Sequence, residues 1–158
     1  MLTFTPTITS FEGYADDNVE GSATSKNGVD GNWTQAVDEN FRTRLLVLET
    51  NAGSSNNVDF QFQYYHTQGT ATWTNITTTS SVVKAVTSTH ITDDADTTQQ
   101  IGSGTFITPN SGFTEDGLVS AIADFAGSDE TEVEAVLQLV RIIDSISKTI
   151  GKVSIFFF

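Results

Sequence analysis

Cysteine is absent from all 158 residues, so disulfides and thiolate chemistry are excluded. Histidine is nearly absent too. His66 and His90 have no second histidine at metal or catalytic spacing, and both read as surface imidazoles next to turns. Basic residues number only seven against 20 acids, a net charge of −13. That balance excludes the electrostatic footprint of a nucleic-acid binder and repels anionic lipid. No apolar run approaches the roughly 20 residues a membrane helix needs, so no membrane partner is expected. The opening stretch MLTFTPTITSFEGYADDN lacks the basic and apolar regions and the cleavage site of a secretory signal, and the expectation is a mature, cytoplasmically made protein.

Charged residues make up only 17% of the chain, and polarity comes instead from Thr, Ser, Asn and Gln. Such a composition favours strands with hydroxylated outer faces over exposed helices. Short alternating segments between turn signals predict an all-β chain, a single-domain antiparallel β-sandwich of jelly-roll or immunoglobulin-like type. A first strand is expected near Thr5 to Phe11, followed by a long polar excursion over 15–40. Residues 1–40 therefore read as an N-terminal strand and extended arm, and residues 41–158 as the sandwich core.

FRTRLLVLET reads as an inner strand, because its second half is apolar on both sides. VDFQFQYYH places Val58, Phe60, Phe62 and Tyr64 on one face, and ATWTNITT returns as its hairpin partner. SVVKAVTS and a short Thr-Phe-Ile segment add further strands. ETEVEAVLQLVR fits both a helical and a two-residue period, and a strand from about Thr131 to Arg141 is preferred. The chain ends VSIFFF, apolar on both faces of a strand, so Ile155 and Phe157 on one side and Phe156 and Phe158 on the other call for a second layer or another subunit.

Candidate chemistry is sparse. Serines lack a nucleophile-elbow context, and the glycines of IGSGTF lack the lysine and helix start of a phosphate loop, so they read as a β-turn. The acids Asp93, Asp94 and Asp96 could offer oxygens to calcium, but their spacing is not that of a calcium-binding loop and solvated turns are the expected outcome. Glu130, Glu132 and Glu134 could supply paired carboxylates, yet alternate acids on one strand read as its wet face. No enzyme activity, cofactor or metal is expected. Of the aromatic residues, Trp73 is expected in the core, whereas Trp33 in the excursion is expected to be an exposed anchor.

Three stretches, FRTRLLVLETNAGSSNNVDFQFQYYHTQGTATWTNIT, DDADTTQQIGSGTFITPNSG and DFAGSDETEVEAVLQLV, resemble a Thr- and Gly-rich β family of tailed-bacteriophage virion structural proteins. The likeness runs over residues 41 to about 140 and rests on strand and turn patterning. It implies a non-enzymatic capsid decoration or cement protein, assembled in the host cytoplasm and bound to the major capsid protein on the virion surface. Trp33, Val37, Phe156, Phe157 and Phe158 are the expected capsid or subunit contacts, with a homotrimer as the preferred state. The alternative is a phage tail or fibre module that binds host-surface glycans.

Overall fold

The computed structural model describes residues 2–55, 57–65, 72–122 and 125–140. The expected residues His66, Ile155, Phe156, Phe157 and Phe158 lie outside them. The described chain forms an all-β antiparallel sandwich, with no helix among the described residues.

The main sheet is built on three long strands, β1 (Pro6–Ala15), β2 (Asn40–Glu49) and β10 (Asp129–Leu139). β2 lies between β1 and β10 and is antiparallel to both. Three short strands share the far edge of β10: β6 (Val83–Ala85), antiparallel, and β7 (Thr105–Phe106) and β8 (Phe113–Thr114), both parallel to it. Two small antiparallel pairs make up the other strands among the described residues: β3 (Val58–Gln61) with β9 (Leu118–Ile122), and β4 (Gln63–Tyr65) with β5 (Trp73–Asn75).

Two-residue periodicity sorts β2 and β10 into two faces. Phe41, Leu45 and Val47 on β2 and Val133, Ala135 and Leu137 on the neighbouring β10 share one face and pack with Phe62, Tyr64, Ile76, Val119, Ile122 and Phe125. This is the hydrophobic core. The segment expected as a single strand over 58–66 is instead broken at Phe62, whose N–H bonds to Gly117 O and whose carbonyl accepts from Ile76 N, so β3 and β4 join different partners.

The expected arm over 15–40 is not a free extension. It folds back along β1, with Lys26 N bonded to Gly13 O, Asp30 N to Phe11 O and Ala15 N to Thr24 O. Val37, expected at an interface, bridges to Leu139 at the end of β10 and packs against the core. Residues 2–40 thus supply an edge strand and its cover within the same sandwich as the described residues that follow. The exposed start of β1 carries Pro6 and a bulge between Ile8 and Ser10, features that disfavour edge-to-edge pairing.

Candidate functional site: a buried charge network

The second face of the main sheet is charged, and it is buried. Arg42 and Arg44 on β2 and Glu132 and Glu134 on β10 are each no more than 1% exposed, and Glu130 is 6% exposed. Strand register places opposite charges side by side: Glu12 on β1, Arg44 on β2 and Glu134 on β10 stand directly across from one another. The acids read as a wet face are therefore interior, because two loops close over this side of the sheet.

Arg44 is the centre of the network. Its Nε lies 2.6 Å from Glu134, its Nη1 2.8 Å from Glu132, and its Nη2 2.5 Å from Glu20 on the loop after β1. Nη1 also donates to Thr98 O, and the guanidinium carbon sits 5.8 Å from the centre of the Phe113 ring. Burial alone would lower its pKa, but Glu134, Glu132 and Glu20 outweigh that and raise it. Arg42 makes looser contacts, with Nε 3.2 Å from Glu134 and 3.9 Å from Asp16. Burial pushes the Glu134 carboxyl up against the pull of both arginines.

The glycine-bearing stretch after Thr98 has an unexpected occupant. Glu132 Oε1 accepts the consecutive backbone N–H groups of Gln100, Ile101 and Gly102 at 2.7 to 2.9 Å. Glu130 Oε1 accepts Gly104 N and Gln99 Nε2, both at 2.6 Å. The loop is an anion nest of the kind that elsewhere holds phosphate, and here it is filled by the chain's own carboxylates. A Cβ on Gly104 would stand 2.8 Å from Glu130 Oε2, and one on Gly102 would collide with Oε1 of the same carboxylate. Both positions need glycine for this close approach.

Glu20 joins the two covering loops, since it also accepts Thr98 N at 2.8 Å. Glu12 accepts Tyr14 Oη at 2.7 Å and Ser25 Oγ at 2.5 Å, which ties the 16–39 loop to β1. Burial first, and then the Glu12 carboxylate, raise the Tyr14 pKa. At the other end of β2 the buried Glu49 accepts the N–H groups of Thr5, Asn51 and Gly53, which outweigh its burial and hold its carboxyl below the ordinary range.

The two tryptophans exchange their expected places. Trp33 is half-buried, with its ring over Gly13, where a Cβ would come within 2.7 Å, and packed between Phe11 and Phe41. Trp73 is 39% exposed on β5 and meets Tyr65 of β4 at a ring separation of 5.3 Å. The short β4–β5 ribbon has only one side on the core, and Tyr64 occupies that side.

Asp93 accepts the N–H of Glu115, and among the described residues no group of three acids or histidines is placed to hold a metal ion. Open clefts are present among the described residues. One of about 130 Å³ lies between the layers beside Ile8, Leu45, Phe60 and Val133. Another, about 360 Å³, is polar and lined by Asp16, Asp17, Glu39, Ser88 and His90. In the polar cleft the Ser88 hydroxyl donates to the Asp16 carboxylate at 2.6 Å and accepts the backbone N–H of His90 at 3.0 Å.

Comparison with known proteins finds no match. Family models, curated proteins and solved structures all give this result.

The buried network was missed in the sequence although a signal exists: Arg-x-Arg on one largely apolar strand and Glu-x-Glu-x-Glu on another. In a chain with seven basic residues, two on one such strand need buried partners.

Proposed function

We propose that the chain is a non-enzymatic virion structural protein, a decoration or cement subunit that binds the assembled capsid of a tailed phage through the major capsid protein. The observation that carries this reading is the inward direction of the chain's strongest charges. Arg44, Glu132 and Glu134 are engaged by one another and by backbone N–H groups, so they hold loops to the sheet and are not presented to a substrate. A body built this way works through its surface. Binding to the assembled shell and not to free subunits would stabilise the shell by mass action.

The virion setting rests on the strand and turn patterning of residues 41 to about 140, which resembles that of phage structural proteins, and not on any match to a known protein. The apolar run VSIFFF, with Phe156, Phe157 and Phe158, is the proposed contact in a homotrimer or on the shell, and the net charge of −13 sets nucleic acid and anionic membrane aside as proposed partners.

Immunogold labelling of virions purified from the source of this sequence tests the reading. Label over the capsid, with heat-sensitive shells when the protein is omitted, is the expected result. Label confined to the tail would move the function to host attachment, and unlabelled virions would refute a virion role.

A further inference from the structure

The β4–β5 ribbon turns one side outward, and that side has a particular chemistry. Gln63 stands opposite Asn75, and Tyr65 opposite Trp73. Tyr64, between them, points the other way and is 5% exposed in the core. The outward face is therefore two aromatic rings followed by two amides, with no charge among the four.

We propose that this face binds a neutral oligosaccharide, with a pyranose ring seated on Tyr65 and Trp73 and a neighbouring hydroxyl pair on Gln63 and Asn75. The rings are 5.3 Å apart and tilted by 50°, a shallow trough that offers π surface to the C–H side of a sugar. Residues two apart on a strand are about 6.6 Å apart along it, roughly the step from one sugar ring to the hydroxyls of the next. Gln63 Nε2 donates to Asn75 Oδ1 at 2.7 Å, which leaves one amide oxygen and one amide nitrogen turned to solvent. Exchanging O and N in both amides leaves the same pair, one acceptor and one donor. A hydroxyl both donates and accepts, so adjacent hydroxyls match that pair.

Competing ligands fit less well. The net charge of −13 repels nucleic acid and sialylated or sulfated glycans, which leaves uncharged sugars. A proline-rich peptide would stack on the same rings but has few N–H groups, so the exposed amide oxygen would go unmatched.

The test uses the full chain and hexasaccharides of β-1,4-glucose, α-1,4-glucose and β-1,4-N-acetylglucosamine, followed by calorimetry and tryptophan emission. At least one sugar should bind and shift the emission, with affinity falling more than tenfold in Trp73→Ala and Tyr65→Ala and largely restored in Trp73→Phe. The melting temperature of each variant, and the recovery of binding in Trp73→Phe, separate loss of binding from loss of fold. Failure of all three sugars to bind, binding that ignores Trp73, or tighter binding of a polyproline peptide would each overturn the proposal. None of those outcomes bears on capsid labelling, so the two readings fail separately.

Discussion

Arg44 Nε and Glu134 Oε2 lie 2.6 Å apart on directly opposed positions of adjacent strands, and both side chains are almost wholly buried. Removing one partner of such a pair leaves a charge in the interior, typically at a cost of about 3–5 kcal/mol. Arg44→Ala should lose about that much stability in urea unfolding. Adding Glu134→Gln to it should cost less than the sum of the two single changes, because the second removes the charge that the first left unpaired. A loss under about 1 kcal/mol for Arg44→Ala would mean that water reaches the network.

How far this was legible in the sequence depends on the face of the strand. The all-β class and the strands around FRTRLLVLET and ETEVEAVLQLV follow from two-residue alternation, since Phe41, Leu45 and Val47 and their counterparts Val133 and Leu137 mark the core side. The opposite side was not legible. Glu130, Glu132 and Glu134 have the same period whether they face water or arginine, and only the register with Arg42 and Arg44, some 90 residues earlier, tells the two apart. Trp33 misled for a related reason: its loop looks polar, but the ring fits a surface that Gly13 leaves bare.

Gly102→Ala should displace the Glu130 carboxylate from its loop and cost about 1–3 kcal/mol, the range for overpacking a close contact. In Glu130→Ala the same glycine change should cost clearly less. Equal costs in both backgrounds would show that the loop backbone, not the carboxylate, requires glycine.

Gly13→Ala should lift Trp33 from its seat between Phe11 and Phe41, with a red shift in tryptophan emission and a stability loss of about 1–3 kcal/mol. Emission unchanged by this substitution would argue that the ring does not rest on β1.

Acidification acts on two buried carboxylates in opposite directions. Glu49 is held below its ordinary value of 4.5, so its contribution is complete above that pH and is lost as pH falls through the depressed folded value. Glu134 is raised above 4.5, so the folded state takes its proton first, and its contribution grows as pH falls from the raised value toward 4.5. Relief of the −13 net charge acts in the same direction as Glu134. The melting temperature should therefore peak on the acid side of neutrality and drop below about pH 4.5, with a shallower acid limb in Glu49→Gln and a smaller rise in Glu134→Gln. A melting temperature that falls steadily from pH 8 to pH 5 would contradict the assignment.

Amide hydrogen exchange at Gln100, Ile101 and Gly102 tests most directly whether the buried charges serve to lock loops onto the sheet. The three N–H groups bond to Glu132 and to no strand, so in an ordinary surface loop they would exchange through local opening. Protection close to that of the β2 and β10 amides is expected, lost selectively in Glu132→Ala. Rapid exchange in the parent protein, or protection that survives Glu132→Ala, would contradict that locking role.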